Sequence, residues 1–495
     1  MTLPPGEPPP EPEPQFDGGV PSGFVILVLR TDPDVDDLRR LVGDDVFGEL
    51  ARLLVDLGSP RNERLIPRAA AADADRLDER ARRRRPDRRN RRSGRLYWRV
   101  DRRESRDAAE VARRLAALRD VVDTAYAEAR VAAASPSANA STAAASTTTM
   151  LGQGYLDARP HGVDARSAWT RPGGEGQGVR LVDIEMGWRI THPALAAHTP
   201  KVLPDPHRVN RDGIGVFVGD HGTATLGVIA ATGPGVPVLG IAPRIAWLRA
   251  CSHFNRTTGD DLDVTPAIVQ AATYLRAGDV LVLETQRLGL FGLLPTETDL
   301  ADFDHIQKAT DAGIVVIEAA ANGSRDIDAW RPAADQPQRR LQRGVEEWDS
   351  GAVLVGSCVK RVHQDGHRRH PTSNYGRRVD CYAWGEGVAA PTATATSEGY
   401  FEKYAGTSSA TAIIAGVAVL VESLHRAAHG GRAVAPETVR DVLSAPAPQG
   451  TPQKPVGDAR LIGVMPDLDV IFAAVQAAPL GPELPDDDIP LPPDL

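Results

Sequence analysis

The chain has 495 residues, 57 of them basic and 66 acidic, for a net charge of −9; 42% are apolar and 25% charged. These proportions suit an ordinary globular protein and exclude a wholly disordered chain, a fibre and a polytopic membrane protein. Three cysteines (Cys251, Cys358, Cys381) are too few for a disulfide scaffold, and none has the CxxC spacing that would indicate zinc.

Residues 1–22 are proline-rich and acidic, and are expected to be disordered. They lack the basic start and continuous apolar stretch of a secretory signal. No window of about 18 uncharged apolar residues announces a transmembrane helix. The default expectation is a cytoplasmic protein without a membrane partner, with non-standard secretion as the alternative.

Residues 23–131 read as a first folded unit. Phe24 to Leu29 (FVILVL) forms a buried strand. Asp36 to Leu57 has helical periodicity, with Leu38, Leu41, Val46, Leu50, Leu53 and Leu54 on the apolar side. Arg64 to Pro67 is a short, weak strand. Arg95 to Val100 alternates as a half-buried strand does, Ser105 to Leu118 is a second helix, and Val121 to Val131 is a last strand. The order β-α-β-β-α-β predicts a small α+β, ferredoxin-like unit. Between Arg80 and Arg106 stand fourteen arginines and three acids, a local surplus of eleven, which leaves −20 for the rest of the chain. The run reads as a solvated loop, or as a handle on an acidic partner or on the chain's own acidic remainder. A nucleic-acid footprint is disfavoured, because the nearby aromatics Tyr97 and Trp98 fall in the alternating strand.

Ala132 to Thr149 is a low-complexity stretch of small, uncharged residues, and residues 132–151 read as a flexible, protease-accessible linker. From 152 to 475, apolar strands alternate with helices. The strands are Val179 to Ile184, Ile245 to Arg249, Val280 to Leu283, Ile314 to Ile317 and Val353 to Val355, with helices such as Thr265 to Leu275 and Thr298 to Ala312. This pattern predicts an α/β domain with a doubly wound, mostly parallel sheet covered on both faces. Residues 476–495 are an acidic, proline-rich tail expected to be disordered.

Three segments in that domain carry the residues of nucleophilic catalysis. VRLVDIEMGWRITHPAL places Asp183 at the carboxyl end of the first strand. GDHGTATLGVIAATG opens a helix at His221, and YAGTSSATAIIAGVAVL opens a long apolar helix at Ser408. A serine hydroxyl becomes a useful nucleophile when an imidazole takes its proton and a buried carboxylate orients that imidazole. Alone, each residue reads as a strand-end turn or a helix cap; together they form a constellation.

These segments resemble those of the subtilisin-like serine peptidases, in which an Asp followed by a His-Pro element precedes His-Gly-Thr and then Gly-Thr-Ser-x-Ala. The resemblance covers about Tyr155 to Leu424. It implies a serine endopeptidase with Asp183 orienting, His221 as general base and acid, and Ser408 as nucleophile. GIVVIEAAANGS resembles the strand before the family's oxyanion asparagine, here Asn322. The first unit would then be a propeptide that docks on its own catalytic domain, the linker its processing region, and a polypeptide the substrate. The alternative is a subtilase-fold regulatory or binding protein with little peptidase activity.

The sequence departs from the family at several points. The family's Asp-Thr-Gly or Asp-Ser-Gly is here Asp183-Ile184-Glu185, and alternation puts Glu185 on the side of Asp183. Glu185 there either perturbs the site's titration or is a solvated strand-end carboxylate. The Ser-Leu-Gly substrate strand is replaced by Glu284-Thr285-Gln286, and the glycine before the asparagine by Ala321. Both changes suggest a narrower or more polar primary pocket. Glu284 and Glu318, at the ends of apolar strands, call for partners, with Arg287 and Arg325 as candidates. The proline after Gly-Thr-Ser-x-Ala-x is Ala412. Ser373, Asn374 and Gly376 resemble a structural Ser-Asn-x-Gly stretch, and Cys381 reads as a buried inert thiol. No cofactor is required; calcium is possible, with no motif indicating it.

Overall fold

The computed structural model describes residues 15–16, 21–30, 62–66, 70–88, 92–101, 108–132, 150–211, 219–256, 263–332, 339–393, 397–446, 449–455, 457–477 and 483–484. The helix expected over 36–57, and most of the 132–151 linker and of both termini, lie outside these residues.

The N-terminal unit comprises β1 (Pro21–Leu29), β2 (Asn62–Arg64), α1 (Ala71–Arg84), β3 (Tyr97–Asp101), α2 (Ala108–Ala116) and β4 (Val122–Ala129). Its antiparallel sheet runs in the order β2-β3-β1-β4. From Phe24 to Leu29 β1 is continuously apolar because both its faces are covered. Val25, Leu27 and Leu29 pack with Val111 and Leu115 of α2, while Ile26 and Val28 pack with Tyr97, Tyr126 and two residues of the large domain, Leu300 and Ala301. A short strand, β5 (Val131–Ala132), follows.

The large domain is built on a sheet containing β6 (Arg180–Glu185), β7 (Lys201–Val202), β8 (Trp247–Ser252), β9 (Val280–Leu283), β12 (Val315–Ala319), β13 (Val353–His363), β14 (Cys381–Trp384), β17 (Gly450–Pro452) and β18 (Val464–Pro466). The order is β17-β18-β14-β13-β12-β9-β6-β8-β7, parallel except at β17. A hairpin of β10 (Gln286–Gly289) and β11 (Gly292–Pro295) stands beside it, as does the pair β15 (Val388–Ala393) and β16 (Glu398–Tyr404). The helices that matter for the site are α3 (Gly219–Ala230), α4 (Val264–Thr273), α5 (Leu300–Asp311) and α6 (Gly406–Ala428).

Strand alternation divides the core into two layers. Leu181, Val280, Val282, Val315 and Ile317 belong with residues of α3 and α6, whereas Val182, Ile184, Leu281, Leu283 and Val316 belong with α4 and α5. α6 is long and apolar enough to cross a membrane, yet 94% of its most apolar window is buried within the protein, where it forms the centre of one layer.

The two units share a seam. Ile66, Ala74 and Leu77 join the apolar cluster of α4 and α5. Around that seam Arg80 donates to the Ala272 carbonyl at 2.8 Å, Arg88 meets Asp311 at 2.8 Å, and Arg92 meets Asp304 at 3.0 Å. Arg99 meets Asp263 at 2.8 Å, and Lys308 meets Asp78 at 2.9 Å. The basic run is therefore more than a solvated loop: its first residues belong to α1, and several of its arginines lie against acids of the large domain. β5 pairs antiparallel with β10, Ala132 opposite Gln286 and Val131 opposite Arg287.

Candidate active site

The carboxyl end of β6 sets two acids on one face. Residues 183 and 185 both follow Leu181 toward α3 and α6, and both are fully buried. The turn after β6 brings Trp188 back so that its Nε1–H donates to Oδ2 of Asp183 at 2.7 Å. The expected contact of Asp183 with the imidazole is not what forms: Oε1 of Glu185 is the carboxylate oxygen against Nδ1 of His221. Strand geometry gives the reason, since Glu185 stands one full pleat nearer the end of the sheet, where α3 begins. Gly222 makes room for it; a Cβ there would lie 2.4 Å from Oε2 of Glu185.

His221 is held at the first turn of α3. Oδ1 of Asp220 accepts its backbone N–H at 2.9 Å, and its ring meets Tyr404 edge-on with centroids 5.3 Å apart. The Tyr404 hydroxyl is 2.7 Å from Oγ1 of Thr225, one helical turn further on. Burial pushes the imidazole down to about 4, against the opposing pull of Asp220 and Asp183. Burial likewise raises Glu185 well above the usual carboxylate range, and Asp220 adds to the rise. Asp183 is raised by burial and by Glu185, with the Trp188 hydrogen bond and His221 pulling the other way.

Ser408 lies in the first turn of α6, whose chain turns in through Gly406 at φ +84°. Asn322 is fixed beside this turn: its Oδ1 accepts the Thr407 backbone N–H at 2.9 Å. That bond engages the amide oxygen and leaves the Nδ2–H groups as the donor end of the side chain. A Cβ on Gly406 would come within 3.0 Å of the same amide. Ala321 holds the preceding turn at φ +69°, a left-handed conformation that costs a residue with a Cβ about 1–2 kcal/mol. Asn374 braces the loop, accepting from the Arg325 backbone N–H at 2.7 Å and donating to the carbonyls of Leu293 at 2.9 Å and Ala320 at 2.6 Å.

The Glu284-Thr285-Gln286 segment joins β9 to β10 and is buried throughout. Oε1 of Gln286 accepts the Asn322 backbone N–H at 3.4 Å. Arg287 does not serve Glu284. It turns to Asp302, Glu128 and the Ala129 carbonyl, the last at 2.7 Å. Glu318 instead accepts the Glu297 backbone N–H at 2.9 Å, and the Arg325 guanidinium sits over the Phe291 ring. Cys381 is a buried free thiol that burial pushes up.

Residues 184–464, more than half the chain, match the family model described as the subtilase family. The chain belongs to the subtilase family. The matched stretch includes Glu185 and begins one residue after Asp183. Thermitase of Thermoactinomyces vulgaris is 27% identical over 294 residues, 59% of this chain and 91% of that protein. An intracellular serine protease of Paenibacillus polymyxa is 25% identical over 331 residues, 64% and 90% respectively. Subtilisin-like protease 3 of Trichophyton tonsurans is 27% identical over 242 residues, and the chain spans only about half its length, 52%. Fervidolysin from Fervidobacterium pennivorans, described as a keratinolytic enzyme related to subtilisin, shares the fold with a TM-score of 0.56. That alignment covers 93% of this chain and 61% of fervidolysin at 13% identity. This subtilase is a serine endopeptidase, a hydrolase of polypeptides. Glu185-Met186-Gly187 has an acid-x-Gly form, whereas Asp183 is followed two residues on by an acid.

Proposed function

We propose that this subtilase hydrolyses peptide bonds with Glu185, His221 and Ser408 as its triad and Asn322 as oxyanion donor, and that it is made as a self-processing zymogen. The observation that carries the triad is the Glu185 carboxylate against Nδ1 of His221. It leaves Nε2 to take the proton of Ser408. The neutral imidazole that burial favours is the form a general base needs. As the proton arrives, the pair becomes imidazolium and carboxylate, which stabilise each other. The Ser408 oxygen bonds to the scissile carbonyl carbon, and the charge that develops on the carbonyl oxygen is met by Asn322 and the Ser408 backbone N–H. His221 returns its proton to the leaving amine; water then repeats the cycle on the acyl-enzyme. Asp183 acts behind the triad, holding Trp188.

The zymogen reading is supported by β5. An antiparallel strand laid on β10 is the posture in which an extended peptide adds to a sheet edge. With Ala132 opposite Gln286, this pairing supports a reading in which the N-terminal unit covers the cleft it precedes. Both triad side chains that a substrate must reach are nearly closed off, His221 at 7% and Ser408 at 8% exposure. Glu284, Gln286 and Ala321 add atoms to the pocket side and support a preference for small or polar residues before the scissile bond.

A fluorophosphonate probe tests the core of this reading: it is expected to label Ser408 in the processed wild type. Intact-mass analysis of wild type beside Ser408→Ala should show a truncated product only in the wild type. A wild-type chain that takes no label and stays at full length would overturn it.

A further inference from the structure

A cavity of about 270 Å³ opens in the large domain, and neither the triad residues nor Asn322 line it. Its charged lining is Asp328, Arg331, Arg340, Arg343, Arg377 and Arg378, five guanidinium groups around one carboxylate. Asp328 meets Arg377 at 3.1 Å and accepts the backbone N–H groups of Arg377 at 2.8 Å and Arg378 at 3.1 Å. Asp380 is divided among three cations: Arg343 at 3.2 Å, Arg378 at 2.8 Å and Arg440 at 2.9 Å. Asp441 also meets Arg343, and Glu297 meets Arg378 at 2.9 Å. Arg331 directs Nη1 to the carbonyls of Asp328 and Trp330, and Arg340 lies over the Trp348 ring. Arg378 is 1% exposed, and its Nε has no hydrogen-bond partner. A buried donor of this kind calls for an acceptor, and the planar guanidinium fork matches a carboxylate. The chain carries carboxylates to this place. Gln15–Phe16 pairs in parallel with Trp330–Arg331, Phe16 opposite Arg331. Residues 7–14, just before it, read EPPPEPEP, and residues 1–22 hold four acids and no base. At about 3.1 Å per residue in a proline-rich chain, Glu13 and Glu11 stand no more than about 6 and 12 Å from Gln15.

We propose that this cavity is a binding site for an acidic peptide, and that its occupant is the chain's own segment of residues 7–14. The glutamates meet the arginines as charge-assisted pairs. The prolines restrict the segment before it binds, so less conformational freedom is lost on docking. The segment precedes the N-terminal unit and the cavity belongs to the large domain. Occupancy therefore ties the two together at a third place, besides the arginine seam and the β5–β10 ladder. This site lies outside the hydrolytic chemistry and does not rest on the assignment of the triad.

The test uses the full chain with Ser408→Ala, chosen to keep it whole, and a fluorescent peptide of residues 1–16 followed by anisotropy. Glu7→Gln, Glu11→Gln and Glu13→Gln together in the chain should vacate the cavity, and the peptide should then bind. With the natural segment in place, the apparent Kd should be about 100-fold weaker for a peptide Kd near 10 μM, because a short tether presents its own segment at about millimolar concentration. Arg340→Ala in the vacated chain should weaken the peptide by about tenfold or more. Raising the salt from about 0.05 to 0.5 M should weaken it as well. A peptide with glutamine in place of all three glutamates should not bind. That control needs no arginine variant, so it decides even if Arg340→Ala fails to fold. Equal binding of the glutamine peptide, or indifference of a folded Arg340→Ala chain, overturns the carboxylate site. Equal uptake of the peptide by the vacated and the unsubstituted chain overturns the assigned occupant. Complete displacement of the peptide by about 1 mM inorganic phosphate reassigns the cavity to phosphate and overturns the proposal.

Discussion

Glu185→Gln and Asp183→Asn separate the two buried acids of β6. Oε1 of Glu185 lies against Nδ1 of His221, so the amide removes the charge that orients the imidazole and stabilises its protonated form. Losing that charge from a triad of this kind costs about 10⁴ in kcat, or about 5 kcal/mol. Asp183 stands two strand residues back, about 7 Å along β6. A full charge there would be worth about 2 kcal/mol to the imidazolium at an effective dielectric constant near 20. Burial and Glu185 favour its neutral form, and its Oδ2 is engaged by Trp188 at 2.7 Å, so the expected loss for Asp183→Asn is below about tenfold. The assay is kcat on a fluorogenic peptide, paired with the rate of fluorophosphonate attack on Ser408, which reports nucleophile activation without a bound peptide. Glu185→Asp, with the carboxyl withdrawn by one methylene, should fall between, because a displacement of about 1 Å costs up to about 10². The assignment fails if Asp183→Asn is as damaging as Glu185→Gln, or if Glu185→Gln keeps its rate within about tenfold.

Gly222→Ala would put a Cβ 2.4 Å from Oε2 of Glu185 and 2.5 Å from the Trp188 ring, so kcat should fall by about 100-fold or more while Tm drops by only a few degrees; an unaffected rate would show that the carboxyl has room to move. Arg99→Ala strips Asp263 and Glu128 of a buried cation, which should weaken docking of the N-terminal unit by about 3–5 kcal/mol, read as a lower first unfolding transition in the Ser408→Ala background. Glu284 is raised in the folded chain, so its contribution to stability is full below the unfolded carboxylate range near pH 4 and is lost as pH rises through the folded value. Glu284→Gln should therefore gain Tm over wild type between pH 5 and pH 9, and an equal difference at both ends would contradict the sign. Ala132 pairs with Gln286 of β10, so on the zymogen reading intact mass should place the first cut after Ala132; a cut before Val131 would contradict that reading.

The main sheet was legible because its strands are short Val/Ile/Leu runs with both faces covered, and Val280–Leu283 falls where the pattern put it. The placements of His221, Ser408 and Asn322 were legible in the sequence: His221 falls in the first turn of α3, Ser408 in that of α6, and Asn322 just after β12. For the acid, the sequence points to Asp183, whereas the carboxylate lying against Nδ1 of His221 belongs to Glu185, one pleat further on. An Asp at a strand end is the familiar signal, and the longer Glu reads as a perturbation until the turn at Gly187 is seen to set the count. The arginine run misled for a different reason. Charge in a sequence is read as facing water, and only tertiary packing shows that Arg88, Arg92 and Arg99 face Asp311, Asp304 and Asp263. Nearness in sequence suggests Arg287 as a partner for Glu284, but its guanidinium is committed to Asp302 and Glu128.

The same packing explains two oddities of composition at once. α5 carries Asp302, Asp304, His305, Lys308 and Asp311, enough charge for a solvated helix, yet every residue in it is buried. β1 is apolar on both faces although a small sheet usually leaves one face wet. Each is sensible only with the other present: Ile26 and Val28 of β1 cover Leu300 and Ala301, while Asp304, Lys308 and Asp311 find Arg92, Asp78 and Arg88. Separating the units would expose apolar area and also return several buried charges to water. The apolar part favours docking at any salt concentration, whereas the arginine–carboxylate part fixes the register in which β5 meets β10, because a mismatched pair leaves a buried charge without its counter-ion. The positive charge of the N-terminal unit is thus met by the acids of the domain beside it, and it sits next to the strand that pairs with β10.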